Sequence, residues 1–169
     1  SFTIDKDVVA VKRYAYDDSG NLISEKFYKP GKNRMHNTKT LKYSYTGDDR
    51  MKRKTILNEK GKWLEKHNIE RGDSLTTIRI KYHKRRSPGE LLTKTIKEHF
   101  REDTLVRKTI HKVYTDKHES TSTTSYSYDD DGKLTEEITR KEGEIIQRVE
   151  YSWYLNGTLN RKITYDADD

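Results

Sequence analysis

The strongest constraint on this chain is its punctuation. Glycine-centred polar clusters recur at intervals too short for anything but hairpins. They read DDSGN (17–21), KPGKN (29–33), TGDDR (46–50), NEKGK (58–62), ERGDS (70–74), SPGE (87–90), DDDGK (129–133), KEGE (141–144) and LNGT (155–158). Glycine supplies the positive φ that tight turns require, and Asn and Asp tolerate it. The glycines at 47, 61 and 72 and those at 132, 143 and 157 are spaced so that two hairpins occupy the same length in each stretch. Connections this short exclude parallel crossovers.

Between the turns the side chains alternate. In LKYSYT (41–46), Leu41, Tyr43 and Tyr45 fall on one side. In TTIRIKYH (76–83), Ile78, Ile80 and Tyr82 do so, and in EIIQRVEYSW (144–153) Ile145, Val149, Tyr151 and Trp153. A two-residue period is the mark of a strand with one apolar and one wet face. Twelve strands are predicted, at about 8–16, 22–28, 39–46, 50–57, 62–70, 74–83, 91–100, 104–115, 119–128, 133–141, 144–154 and 158–165. The stretch 91–112 is the ambiguous one. Leu92, Ile96 and Phe100 also suit a helix face, but its threonines and the REDT break favour a hairpin. The fold class expected is all-β: an antiparallel meander of repeated hairpins over 1–169 as a single β-repeat domain, either a twisted open sheet or a partly closed barrel.

Composition limits the core. Only 30% of the residues are hydrophobic and 37% are charged, too little apolar surface to bury both faces of every strand. Twelve tyrosines and only two prolines argue against disorder, which such a charge content would otherwise suggest. The absence of cysteine excludes disulfides, thiolate metal sites and a cysteine nucleophile. No run is long enough for a membrane-spanning helix. The chain opens at Ser1 without a methionine, which suggests a trimmed precursor, with a lipid anchor conceivable in that precursor.

The charge is unevenly placed. Residues 1–112 hold 28 Lys and Arg against 15 Asp and Glu, whereas residues 113–169 hold 7 against 13. Within the basic part, two clusters combine cations with an aromatic: RMKRK (50–54) and KYHKRRSPG (81–89). Arg50, Lys52, Arg53, Lys54, Lys81, Tyr82, Lys84, Arg85 and Arg86 are therefore the candidate anion-binding residues. Their Lys and Arg groups suit phosphate or sulfate, and Tyr82 could stack on a ring.

Other chemistries find no footing. Counting Asp129 as the first position of a calcium loop puts Gly132 fourth and Arg140 twelfth, where glycine belongs sixth and glutamate twelfth. Residues 129–131 instead fit a type I turn followed by Gly132 in a left-handed bulge position. The histidines at 36, 67, 83, 99, 111 and 118 show no HxH or HxxxH spacing, and His67, His83 and His111 read as exposed sheet residues. No nucleophile elbow, P-loop or dinucleotide fingerprint is present. No metal, no cofactor and no catalytic residue are expected.

Two phrases, YAYDDSGNLISEKFY (14–28) and YSYDDDGKLTEEITRKEGEIIQRVEYSWYLNGTLNRKITYD (126–166), resemble the YD repeat of the RHS family. Tyr14, Tyr16, Asp17, Gly20, Asn21 and Leu22 match one copy, and Tyr126, Tyr128, Asp129, Gly132 and Leu134 a second. Tyr154, Gly157 and Leu159 give a degenerate third; Tyr43, Tyr45 and Gly47 begin a fourth in which glycine follows too soon. A weaker likeness is to the Lys/Glu-rich outer-surface proteins of spirochaetes. The resemblance implies a bacterial secreted, periplasmic or surface β-protein, non-catalytic, acting as a binding module for a protein or an acidic glycan. Nucleic acid is a less expected partner in that setting. Two alternatives stand beside it: a barrel-shaped carrier of a small hydrophobic ligand, and a polyanion binder working through the basic first two-thirds.

Overall fold

The computed structural model describes residues 10–31, 34–83 and 88–167. They form twelve strands and no helix. These are β1 (Val11–Tyr16), β2 (Leu22–Pro30), β3 (Met35–Tyr45), β4 (Met51–Asn58), β5 (Trp63–Arg71) and β6 (Leu75–Tyr82). They continue with β7 (Leu91–Arg101), β8 (Thr104–Tyr114), β9 (Glu119–Tyr128), β10 (Leu134–Lys141), β11 (Glu144–Trp153) and β12 (Leu159–Asp166). The strand order in the sheet is the order of the chain, β1 to β12, with antiparallel neighbours. β1 and β12 end that order, so the sheet is not closed into a barrel. The open arm of the expectation stands; the barrel arm falls, and with it the enclosed lumen that a hydrophobic-ligand carrier would need.

Two compact units can be distinguished. One is built on β1 to β4, the other on β7 to β12, and β5 and β6 each give residues to both. The ambiguous stretch is a hairpin, with Ile96 opposite Ile110 and Arg101 opposite Thr104. The strand limits fall close to those predicted, with one clear departure. β3 begins at Met35 rather than 39, because the β2–β3 hairpin continues past the expected turn and pairs Pro30 with Met35. Proline is tolerated there because it ends its strand, where its missing N–H breaks no ladder bond.

One turn is used repeatedly. At Asp17, Thr46, Asn58, Tyr114, Asp129 and Tyr154 the first residue's N–H donates to the carbonyl four residues on, and its own carbonyl accepts from the N–H three residues on. The fourth position is left-handed in each: Gly20, Asp49, Gly61, Lys117, Gly132 and Gly157. This is the type I turn with a left-handed bulge residue expected at 129–133. The first residue often caps it. Asp129 Oδ1 accepts from the N–H groups of Asp131 and Lys133 at 3.1 and 2.8 Å, and Asp17 and Asn58 make the same pair of bonds. The carboxylate that resembled a calcium ligand is thus turned onto its own backbone. Tighter two-residue turns at Glu102–Asp103 and Glu142–Gly143 have both residues at positive φ, as type I′ geometry demands.

These turns set a register with one extra residue in the following strand. Ile23, Lys52, Leu64, Thr135 and Asn160, each second in its strand, are skipped by the pairing. Where the skipped residue is threonine it mends the ladder: Thr135 Oγ1 donates to the Ser127 carbonyl at 3.1 Å. The displaced side chain is turned toward water, which leaves Ile23 and Leu64 exposed despite their chemistry.

The expectation of one buried and one wet face needs correction. Only Leu41, Ile56, Ile80 and Val149 are buried apolar residues among those described. β7, β8 and β9 are half-buried along most of their length on both sides rather than alternately. The strand contacts described all join sequence neighbours, so no second layer is there to bury a face. Neighbouring side chains shelter one another instead.

Glycine position tests this account of the turns. Gly132 has φ 76° and open space around its α-carbon, whereas Gly47 has equally open space without a positive φ. Gly132→Ala is expected to destabilise by about 1–2 kcal/mol, and Gly47→Ala to stay within about 0.5 kcal/mol of the parent, both read from urea unfolding midpoints.

Candidate functional site

The basic clusters do not form one patch. Arg50 lies in the 46–50 turn with its Nε 3.2 Å from Asp48 Oδ2. Asp48 is in turn held below the usual carboxylate range, first by the Thr46 hydroxyl and to a lesser degree by Arg50. Lys52 is the residue skipped at the β4 bulge. Arg53 stands opposite Ser44 and Asn68 and donates from Nε to Asn68 Oδ1 at 3.1 Å. Lys54, next in the strand, is on the other side, opposite Tyr43 and His67. Its ammonium lies 5.8 Å from the Tyr43 ring centroid. Lys81 and Tyr82 likewise point to opposite sides of β6. Tyr82 is raised above its ordinary pKa by burial and then by the charge of Glu65. Lys84, Arg85 and Arg86 lie outside the described residues. The structure therefore brings Lys54 to an aromatic and carboxylate-bearing side, and Arg53 to the opposite one.

That aromatic side holds an arrangement the sequence reading missed, and it occurs twice. In β1–β4, Tyr14 stands opposite Glu25, the Tyr43 hydroxyl donates to Glu25 Oε1, and Lys54 covers the Tyr43 ring. In β9–β12, Tyr126 stands opposite Glu137, the Tyr151 hydroxyl donates to Glu137 Oε1 at 2.7 Å, and Lys162 covers Tyr151 at 5.4 Å. The next row repeats too. Tyr16 faces Leu22 and the Tyr45 hydroxyl donates to the Leu22 carbonyl at 2.9 Å. Tyr128 faces Leu134, and Trp153 Nε1 donates to the Leu134 carbonyl at 2.7 Å. Four strands, β1–β4, are thus equivalent position by position to β9–β12. The signal was available as Leu-x-x-Glu after each Asp-x-x-Gly turn, at 22–25 and 134–137.

Each row is polar yet sheltered. Burial raises the Tyr151 hydroxyl to about 12, the Glu137 hydrogen bond and charge adding to it, and Tyr43 is raised further for the same reasons with Glu25. A phenol donating to a carboxylate in a half-buried row resists ionisation because a second negative charge would face the first.

On the other side of the second unit are two shallow hollows. One, of about 460 Å³, is lined by His111, Glu119, Thr121, Thr123, Arg140 and Glu142. The other, of about 490 Å³, lies over Arg148, which is clamped between Glu136 at 2.7 Å and Glu150 at 2.9 Å. Among the described residues no three His, Asp or Glu side chains converge as metal ligands would. His67 bonds Glu65 at 2.9 Å, His83 meets Trp63 edge-on at 4.9 Å, and His111 contacts Thr121 at 3.0 Å, so these three serve separate contacts.

Two stretches, 12–29 and 124–142, match the sequence model of the MORN repeat variant. They are the β1–β2 and β9–β10 hairpins, the first hairpin of each equivalent four-strand set. They cover less than half of the chain and fall on the same residues as the two copies likened to the YD repeat. The match to the MORN repeat variant overturns the RHS likeness. The pattern misled because Tyr-x-Tyr-Asp-x-x-Gly-x-Leu is what this turn and its aromatic row require physically. The third copy was also misplaced: Trp153 occupies the tyrosine position and Tyr154 that of the capping aspartate. The fourth is complete in geometry, with Asp49 in the left-handed position instead of glycine. No curated protein matches significantly. The chain is also similar to a solved protein of unknown function from Bacteroides fragilis NCTC 9343, at 13% identity over 92% of this chain and 91% of that one, with a TM-score of 0.36. That score is too low to bear on fold or function.

The tyrosine rows predict an alkaline instability. Above about pH 10 the unfolded chain releases phenolic protons that Tyr43 and Tyr151 still hold, so folding stability falls as pH rises toward 12. The drop in urea midpoint across that interval should shrink in Tyr151→Phe; an unchanged drop would place its origin elsewhere.

Proposed function

We propose that this chain is a non-catalytic binding module built from repeated hairpins, with an extended polyanion, an acidic glycan foremost, as its partner. The duplicated four-strand arrangement supports the first part, since both copies begin with a hairpin that matches the MORN repeat variant. A sheet with little buried apolar surface and long rows of half-exposed polar side chains is suited to holding another macromolecule along its face. The concavities described are open surface hollows, which suits contact along a chain better than enclosure of a small substrate.

The net charge of +7 supports the polyanion part, because it favours accumulation of anionic partners through long-range attraction. An exported location was expected partly from the YD likeness and loses that support; the proposal does not depend on it.

Retention on immobilised heparin tests the reading. The protein should remain bound beyond physiological ionic strength, about 0.15 M, and elute at higher salt. Elution in the void at low salt would sink the polyanion proposal.

A further inference from the structure

The acidic part of the sequence carries a face that is not acidic. In the second unit the registers place Lys97, Thr109, Thr123 and Arg140 directly opposite one another in a single row across β7, β8, β9 and β10. The row beside it runs through Thr95, His111 and Thr121, and the row on its other flank through His99, Arg107 and Ser125. All lie on one side of the sheet, since directly paired residues share a side and alternate residues of a strand return to it.

Carboxylates are kept to the border of this strip. Glu119 and Glu142 stand at one end and Glu136 at the other, while Glu98 points to the opposite side, where it pairs with Lys108 at 3.0 Å. Neighbouring cations are answered, Lys108 by Glu98 and Arg148 by Glu136 and Glu150. Among the described residues, Lys97, Arg107 and Arg140 have no carboxylate at ion-pair distance. Between them the floor is hydroxyl: Thr109 and Thr123 Oγ1 are 3.4 Å apart, and Thr121 Oγ1 meets His111 Nδ1 at 3.0 Å. Such groups can both donate and accept. His99 reports the local field, its pKa pushed below the ordinary value by burial and then by the charges of Arg107 and Lys97.

We infer that this strip across β7–β10 is the binding site for a sulfated or carboxylated oligosaccharide. The inference rests on the polyanion reading and moves its site from the Arg50–Arg86 clusters to the chain's second half. Three unpaired cations meet the anionic groups, and the threonine and serine hydroxyls meet sugar hydroxyls and sulfate oxygens. Lys97 and Arg140 stand three strands apart, about 14 Å at the usual strand spacing, so the ligand is an oligomer rather than a single ion. A single-stranded nucleic acid would want aromatic platforms for its bases. Tyr126 and Tyr128 project to the other side of β9, and no Tyr, Trp or Phe stands on this side of β7–β10.

Calorimetric titration of the whole chain with a heparin oligosaccharide, with NMR titration of the histidines, tests the site. Arg107→Ala combined with Arg140→Ala should weaken binding about tenfold or more, whereas Arg53→Ala with Lys54→Ala should change it less than about twofold. The His99 pKa should rise in the complex, because a bound anion offsets the neighbouring cations. Arg107→Lys with Arg140→Lys should keep most of the affinity, which separates lost charge from lost fold. Loss of binding in the Arg53/Lys54 variant alone would overturn the strip and leave the polyanion reading standing. No binding to the parent at low salt would overturn both. Tighter binding of a single-stranded DNA of equal charge, lost in the Arg107/Arg140 variant, would overturn the glycan assignment.

Discussion

The sheet depends on a short-range interaction: one turn residue's side-chain oxygen accepting two backbone N–H groups. Asp17, Asn58 and Asp129 each close a turn this way, and each fixes which residue of the next strand is skipped. In a strand the side-chain period is two, so a slip of one residue would move every side chain to the other side. The tyrosine–glutamate rows on one side and the cation–threonine strip on the other both require that the slip not occur. Local turn chemistry thus decides the chemistry of both faces.

Without a second layer, the strands are held by the backbone ladder and by what crosses between adjacent side chains. Carboxylate, phenol and ammonium stack in order across β2–β4 and again across β10–β12. Cross-strand pairs of this sort contribute modestly one at a time, about 0.2–1 kcal/mol each. Their repetition along many strands replaces the apolar interior that a chain of 30% hydrophobic residues cannot supply. The high charge content is then a requirement of the architecture, since both sides of each strand face solvent to some degree.

Strand limits, turn positions and the antiparallel order were legible in the sequence because they are local: a glycine or aspartate at a fixed offset, then alternation. The hairpin at 91–112 was legible for the same reason once its threonines were weighed against its leucines. The sites were not legible, since they depend on what stands opposite. RMKRK reads as one cluster along the chain, yet alternation sends Arg53 and Lys54 to different sides. Lys97, Thr109, Thr123 and Arg140 are far apart in sequence and form a row only through three successive registers. The family likeness failed at a related point. A motif composed of the residues an aromatic hairpin needs cannot separate families that share the hairpin.

The identity of strand order and chain order has a kinetic side. When each strand pairs only with its predecessor and successor, few long loops must close before contacts form, and β-proteins otherwise slow to fold gain speed from such local topology. Stability in an array of this kind is close to a sum of each hairpin's own contribution and its coupling to its neighbours. Opening can then begin at β1 or β12, each with a neighbour on one side only, and proceed inward a hairpin at a time. The strands that carry the cation–threonine strip lie away from β1 and, apart from β10, at least three strands from β12. Hydrogen exchange should therefore reach them late, while the ends of the array breathe.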